Sequence, residues 1–187
     1  MRRDRAMSEI TPLVTAEELA RLPDDGYRYE LVEGRLIRMS PVSFEHGRVV
    51  MRLGLLLGRH LEQHPVGTIG ADVGFKLASN PDTVRGPDIA FVRRDRVPTS
   101  GRGFFTGAPD LVIEVLSPDD RSGAVRAKTE QYLATGVPVV VIVDPEERTA
   151  RTFRPGLPPV ALSSPNDVLD LSDAITGFRC SLNDIFQ

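Results

Sequence analysis

Acidic side chains placed among apolar strand residues are the groups in this chain best suited to chemistry. Glu114 lies inside the apolar stretch 111–116, and Asp88 follows Pro87 in the stretch 86–92. An ionised carboxylate among apolar neighbours is costly to bury unless it is paired or bound to a metal. If the two predicted strands are neighbours, the carboxylates converge, and a divalent cation would relieve their repulsion. Carboxylate oxygens suit Mg²⁺ or Mn²⁺.

Each acid also has a simpler explanation. A single carboxylate of this kind can pair with an arginine or face solvent at the end of a strand, and for one acid alone that interpretation comes first. The two acids together favour a metal site. Since side chains alternate along a strand, Glu114 is expected to share a face with Val112 and Leu116.

Lysines are scarce in this chain. Lys76 and Lys128 are the two lysines among 23 basic residues. Lys128 follows the Glu114 strand on a predicted helix that packs back over the sheet, where its ammonium could orient water or stabilise phosphate charge. The alternatives are a solvated lysine or an ion pair with Glu130 or Asp120. Lys76 lies on the polar face of a neighbouring predicted strand and is a second candidate, with an exposed place at a sheet edge as its alternative.

Two further residues are supporting candidates for this site. Glu30 is another acid among apolar residues. His46 lies at the N-terminus of a predicted helix, where the helix dipole disfavours the protonated imidazole. A neutral base or a metal ligand is therefore one interpretation of His46, and an exposed histidine without a role is the other.

Composition limits the classes of protein that this chain can represent. Its 187 residues suit one domain, which we expect over 11–187 after a flexible segment 1–10. The net charge of −3 argues against a tight, sequence-independent coat on nucleic acid. The one cysteine excludes an intramolecular disulfide and a cysteine-built zinc site.

Several motifs of common enzyme classes are absent from the sequence. No phosphate loop, dinucleotide fingerprint, zinc-protease helix or serine-hydrolase elbow is present. With no long apolar segment, we expect a cytoplasmic protein without a membrane partner.

The pattern of apolar residues predicts a mixed sheet covered by helices, an α/β (α+β) fold. A capping box at Thr15 opens a short helix, and a hairpin is predicted over 29–39. The later predicted elements are a helix over 43–63, strands over 69–77, 86–92 and 111–116, a helix over 123–134, and a strand over 139–143. Short connections predict that the first three of these strands form an antiparallel meander. The strand–helix–strand unit over 111–143 is expected to be a right-handed parallel crossover.

The order and spacing of these motifs resemble one family. The resemblance is carried by Pro87-Asp88, by Pro109-Asp110-Leu111-Val112-Ile113-Glu114-Val115-Leu116-Ser117-Pro118, by Lys128, Tyr132 and Gly136-Val137, by Val143-Asp144-Pro145, and upstream by Thr15-Ala16-Glu17-Glu18, Tyr29-Glu30-Leu31-Val32-Glu33-Gly34, Ser43 and His46. Together they resemble the Uma family, a branch of the PD-(D/E)XK, restriction-endonuclease-like superfamily whose members are proposed to be endonucleases. The match extends in order over residues 11–155.

The resemblance implies a restriction-endonuclease-like core, a mixed four-stranded sheet flanked by helices, here with an added N-terminal hairpin. It also implies a Mg²⁺-dependent phosphodiesterase site in which Asp88 and Glu114 hold the metal and Glu30 supports them. Superfamily members usually carry a lysine two residues after the second acid, where this chain has Leu116. The family is thought to supply that lysine from the next helix, and Lys128 matches that position.

The sequence therefore predicts a Mg²⁺- or Mn²⁺-dependent endonuclease that acts on nucleic acid, with DNA as the expected substrate. Asp88, Glu114, Lys128 and Glu30 are the predicted catalytic residues, and the first two are the metal ligands. Enzymes of this kind often act as dimers to meet both strands of a duplex, so a homodimer is expected. The first alternative is a non-catalytic dimeric interaction or nucleic-acid-binding module with the nuclease fold. The second is a phosphohydrolase that acts on small phosphoesters.

Overall fold

The structure is a computed structural model, and it describes residues 12–99 and 103–187. The segment 1–10, predicted to be flexible, lies outside the described residues. Four helices and thirteen strands follow one another along the described part of the chain. The helices are α1 Ala16–Leu19, α2 Phe44–Gln63, α3 Ser122–Ala134 and α4 Leu182–Phe186. The strands are β1 Tyr29–Val32, β2 Arg35–Arg38, β3 Gly67–Gly70, β4 Phe75–Ala78, β5 Thr83–Arg85, β6 Ile89–Arg93, β7 Phe105–Thr106, β8 Leu111–Val115, β9 Val140–Asp144, β10 Thr149–Phe153, β11 Val160–Leu162, β12 Val168–Asp170 and β13 Arg179–Ser181.

The larger sheet contains the predicted mixed core. Within the described ranges it has six strands in the order β11-β10-β9-β8-β6-β3. Strands β3, β6 and β8 form the predicted antiparallel meander, and β8 pairs with β9 in parallel through the α3 crossover. The predicted four-stranded core is therefore confirmed, and β10 and β11 extend it at the β9 edge.

A second sheet carries the predicted hairpin. In the described part of the chain this sheet has five strands in the order β2-β1-β5-β4-β7. The hairpin turn is Glu33-Gly34, and both residues have a positive φ, 49° and 76°. This backbone matches the tight two-residue turns that suit the twist of paired strands.

The single strand predicted over 69–77 is wrong, because the chain breaks there and changes sheet. β3 belongs to the larger sheet and β4 to the smaller one. Between them Asp72 has a φ of 54°, a left-handed conformation that interrupts an extended strand. Val73 is consequently 38% exposed, whereas Phe75, expected on the same face, is 1% exposed.

The two faces of the larger sheet are covered by different helices. Helix α2 buries Val49, Leu53, Leu57 and Leu61 against one face, in the largest apolar cluster of the molecule. Helix α3 covers the other face, where Tyr132 packs with Val112, Val140 and Ile142. Alternation along β8 places Glu114 on this α3 face together with Val112, as the sequence predicts.

The ends of the helices follow their capping residues. The Thr15 side chain accepts a hydrogen bond from the Glu18 backbone and completes the predicted capping box of α1. The Ser43 hydroxyl caps α2 through the backbone N–H of His46. Gly136, with a φ of 97°, follows the last turn of α3. None of the helices in residues 12–99 and 103–187 is long and apolar enough to cross a membrane.

Candidate active site

One cavity of about 800 Å³ collects the charged side chains that the sequence singles out. It lies between the hairpin sheet, the end of β8 and helix α3. Its charged lining includes Glu30 from β1, Arg85 from β5, Asp88 from the turn before β6, Glu114 from β8 and Lys128 from α3. Further charged residues also line it: Asp24, Arg28, Arg38, Asp72, Asp119 and Asp120. His46, at the start of α2, lines it as well. Five of the six site residues predicted from the sequence therefore meet in one place.

Glu114 is one of the two buried glutamates of this cavity. Its Oε1 accepts hydrogen bonds from the Tyr132 hydroxyl at 2.7 Å and from the Lys128 ammonium at 2.8 Å. Burial raises the pKa of Glu114 to about 7 despite the opposing charge of Lys128, and the negative charges of Asp88 and Glu30 add to the rise. Such a carboxyl group is costly to ionise, and a further cation nearby would stabilise its ionised form.

Lys128 connects the two buried glutamates. Its Nζ lies 2.8 Å from Glu114 Oε1 and 3.3 Å from Glu30 Oε1, and 18% of its side chain is exposed. Although burial acts against its charge, Glu114 and Glu30 raise the pKa of Lys128, so the ammonium persists at neutral pH. The alternative pairing with Glu130 is not observed, because Glu130 pairs with Arg126 on the exposed side of α3. The helix therefore directs its one lysine into the cavity.

Glu30 is held by a second set of donors. Arg85 Nη1 donates to Glu30 Oε2 at 2.7 Å, and the backbone N–H of Gly86 donates to Oε1 at 3.0 Å. Arg85 Nε also donates to the Gln131 side chain at 2.6 Å. Burial alone would raise the pKa of Glu30, but Lys128 and Arg85 outweigh it and hold that pKa below its ordinary value. Glu30 is therefore a fixed anion that positions Lys128.

Asp88 is oriented by a backbone amide and a histidine. The N–H of Val115 donates to Asp88 Oδ2 at 2.7 Å, and His46 Nε2 lies 3.2 Å from Oδ1. Because a carboxylate can only accept, Nε2 carries the proton. His46 Nδ1 lies 3.3 Å from the hydroxyl of Ser117, whose backbone N–H donates to Asp120.

The electrostatic environment of His46 differs from the expectation based on the helix dipole. The sequence predicts that the N-terminus of α2 disfavours the protonated imidazole. Burial does act in that direction, but the hydrogen bond and the charge of Asp88 outweigh it and raise the pKa of His46. His46 therefore acts as a partner of Asp88.

Lys76 does not reach this cavity. Its Nζ lies 2.9 Å from Asp82 Oδ2 and 3.7 Å from Glu17 Oε1, beneath helix α1. Arg93 and Arg96, in the arginine-rich stretch 93–96, pair with Asp110, which does not line the cavity. These ion pairs account for Lys76, Arg93 and Arg96, and none of the three has to belong to the candidate site.

Three site residues, Arg85, Gln131 and Tyr132, are not predicted as such from the sequence. Tyr132 and Gln131 follow Lys128 by four and three positions, and residues so spaced share a helix face, which is a signal that could have found them. Arg85 has no comparable signal, because its contact with Glu30 depends on how β1 pairs with β5.

The donor set decides which metal could fit. Over residues 12–99 and 103–187, no group of three or more His, Cys, Asp or Glu side chains forms a metal cage. Asp88 and Glu114 instead supply two carboxylates to one cavity. This set fits Mg²⁺, which is usually bound through one or two carboxylates and keeps waters or substrate phosphate oxygens for its other positions. Burial, with the negative charges of Asp88 and Glu30, raises the pKa of Glu114, and a cation beside it would favour its ionised form.

The fold of the chain is restriction-endonuclease-like. The chain belongs to the Uma2 family, whose model, described as "Putative restriction endonuclease", matches residues 16–183. A solved structure described as a "putative nuclease belonging to DUF820 from Anabaena variabilis" is similar over 92% of this chain and 97% of that one, with a TM-score of 0.80 and 21% sequence identity. At that identity the likeness concerns the fold. No curated protein matches the chain.

Proposed function

We propose that this protein is a Mg²⁺- or Mn²⁺-dependent nuclease that hydrolyses phosphodiester bonds of nucleic acid, with DNA as the expected substrate. One observation carries the proposal: Lys128 Nζ lies 2.8 Å from Glu114 in the cavity that Asp88 also lines. Two acids can hold the cation for metal-assisted hydrolysis of a phosphodiester, and a lysine beside them can stabilise the charge that develops on the phosphate. Membership of the Uma2 family supports the same conclusion.

Each residue has a role that follows from its contacts. Asp88 and Glu114 would hold the cation, which when bound would supply Lewis-acid chemistry and an activated water. Lys128 provides a positive charge beside Glu114 that can orient the attacking water or neutralise charge that develops on the phosphate. Tyr132 fixes Glu114, while His46 fixes Asp88.

Glu30 and Arg85 complete the arrangement from the hairpin sheet. The Arg85 guanidinium keeps Glu30 ionised, and Glu30 in turn holds Lys128 at 3.3 Å. Because Lys128 has two carboxylate partners, its ammonium can move toward the substrate and still keep its ion pair with Glu30. Glu30 is thus a positioning residue.

The direct test is cleavage of plasmid and of single-stranded DNA with Mg²⁺ or Mn²⁺. Wild type is compared with Asp88→Asn and Glu114→Gln, each purified in the same way. We expect cleavage by the wild type and its loss in both variants, because each amide removes a negative charge from the proposed metal site.

Glu130→Gln is the matched control for Glu114→Gln. It makes the same chemical change on the exposed side of α3, where Glu130 pairs only with Arg126, and it is expected to cleave like the wild type. Equal cleavage by all four proteins would identify a contaminant. If none of them cleaves, the proposal fails and the non-catalytic binding module becomes the better account. Light scattering of the purified protein tests the proposed homodimer separately.

A further inference from the structure

The cavity has an apolar half that the proposed chemistry does not use. The term apolar half denotes five lining residues: Leu22 and Tyr27, which follow α1, Ile37 and Met39 of the hairpin, and Val42 before α2. The charged residues Asp24 and Arg38, close to them in the chain, also line the cavity. Tyr27, Ile37 and Val42 are each between 41% and 48% exposed. A cation and a phosphate need only the acidic half. The apolar half therefore suits a second, less polar part of the substrate that lies next to the phosphate.

Tyr27, the aromatic residue of this apolar wall, already has a planar guanidinium stacked on its ring. The guanidinium of Arg38 lies over the Tyr27 ring, 4.3 Å from its centroid, while Tyr27 stays 48% exposed. Tyrosine rings and arginine planes are the surfaces on which proteins stack unpaired bases. The wall thus offers a flat and partly exposed surface of the kind that a nucleobase fits.

The charges around the cavity argue against tight binding to the phosphates of an intact duplex. Duplex binding depends on many lysine and arginine contacts to phosphates. This chain has a net charge of −3. At the cavity Arg28 is paired with Asp72, and Arg85 is committed to Glu30. Because these two arginines are engaged, contacts other than phosphate pairing are expected to contribute to substrate affinity, beside the Arg38 guanidinium that lies over Tyr27.

We propose that the apolar half of the cavity receives an unpaired base next to the scissile phosphate. The substrate is then a single strand, or a strand end whose base has left the stack. Bases inside a duplex are covered by their neighbours and cannot reach a side-chain wall without being extruded. This inference rests on the proposed nuclease function and specifies its substrate class.

The test is binding measured without divalent cations, so that nothing is cleaved. Fluorescence anisotropy follows a labelled single-stranded DNA and the blunt duplex of the same sequence. We expect the single strand to bind more tightly than the duplex. We expect Tyr27→Ala to weaken single-strand binding by about 10-fold, the effect of losing one stacked base, and to leave duplex binding unchanged.

Two further variants separate stacking from folding. Tyr27→Phe keeps the ring and is expected to bind the single strand like the wild type. Phe44→Ala removes an aromatic ring that is 88% exposed and is not part of the cavity lining, and it is expected to have no effect. Thermal unfolding of each variant verifies that the fold is retained.

Three outcomes would overturn the inference: tighter binding of the duplex, equal losses of single-strand and duplex binding in Tyr27→Ala, or no loss in that variant. Parallel cleavage assays keep the inference distinct from the proposed function. Metal-dependent cleavage of duplex that does not depend on Tyr27 would uphold the nuclease and overturn the inference. Single-strand binding that depends on Tyr27, with no cleavage of any substrate, would overturn the proposed nuclease and leave the apolar half as a binding site for an unpaired base.

Discussion

The two lysines of this chain stand in similar settings, one inside the candidate site and one outside it. Lys128 lies between Glu114 and Glu30, at 2.8 and 3.3 Å. Lys76 lies between Asp82 and Glu17, at 2.9 and 3.7 Å. Each ammonium thus bridges a closer and a more distant carboxylate. Composition and pairing alone do not tell a functional lysine from a structural one.

The acids make the difference. Asp82 accepts a hydrogen bond from the backbone N–H of Ala16 at 2.8 Å, and this bond together with Lys76 lowers the pKa of Asp82. Its charge is satisfied, and it attaches helix α1 to the hairpin sheet. Burial instead raises the pKa of Glu114 to about 7 although Lys128 is beside it. Strongly shifted pKa values cluster at functional sites, which makes Glu114, rather than Asp82, the candidate for a functional role.

The largest effect is expected from replacing each lysine in turn. Lys128→Met should lower cleavage by roughly 10²-fold or more, the cost typical of removing one charge-stabilising group from a reaction site. Lys76→Met should leave cleavage unchanged, because its ammonium lies at Asp82 and outside the cavity. The two variants and the wild type are compared by their rates of plasmid cleavage at saturating Mn²⁺. Equal losses in both variants would remove the distinction between the two clusters.

The next largest effect is a change in how the free energy of unfolding depends on pH. Between about pH 4.5 and pH 7, folded protein keeps a proton on Glu114 that the unfolded chain loses, so this group makes stability fall as the pH rises through that window. Glutamine does not titrate. Relative to wild type, Glu114→Gln should therefore gain about 3 kcal/mol of stability between pH 5 and pH 8.

Urea unfolding at several pH values, without divalent cations, measures this difference. Glu130→Gln again serves as the control, and its stability should run parallel to that of the wild type. A parallel curve for Glu114→Gln as well would mean that Glu114 ionises in the folded protein as easily as in the unfolded chain.

A smaller effect of the opposite sign is expected at Asp82. Asp82→Asn should lower the free energy of unfolding by about 1–3 kcal/mol, because it weakens the bond to Ala16 N and removes the charge that pairs with Lys76. Since the folded-state pKa of Asp82 lies below its ordinary value of 3.8, the loss is present above about pH 4 and fades in stronger acid. Cleavage should not change. Reduced cleavage at full stability would show that this cluster communicates with the cavity.

The smallest effect is expected at His46. His46→Asn should weaken Mn²⁺ binding and cleavage by roughly 10-fold, since groups that orient a metal-binding carboxylate have effects of this size. His60→Asn is the control at the other end of α2, where the imidazole lies 2.9 Å from the Thr176 carbonyl oxygen. Titration calorimetry with Mn²⁺ compares the two variants. Unchanged Mn²⁺ affinity in His46→Asn would leave the orientation of Asp88 to the Val115 amide alone.

Local patterns in the sequence are sufficient to predict the strands and helices that carry the acids. Alternation in β8 places Glu114 on the face that α3 covers, and the capping residues set the starts of α1 and α2. Lys128 could be placed because a crossover helix must pack on its own sheet. These features depend on neighbours within a few residues, which is the range over which sequence periodicity is informative.

The smaller sheet could not be predicted in the same way. Its strands β4, β5 and β7 have between two and four residues, and β7 joins β4 in parallel from a distant part of the chain. Strands this short show no clear alternation. The pairing of β1 with β5 sets the contact of Arg85 with Glu30, and it is a property of the folded chain rather than of any one segment.

The hydrogen bond from the Val115 amide to Asp88 links strand pairing to chemistry. Val115 is the neighbour of Glu114 in β8, so a slip of one residue in β8 would turn Glu114 to the opposite face and take this donor away from Asp88. The two acids therefore come together in the same step that aligns β8 with β6, and a misaligned chain would have no functional centre at all. Exchange of the Val115 amide hydrogen with deuterium would report how often the centre comes apart in the native protein.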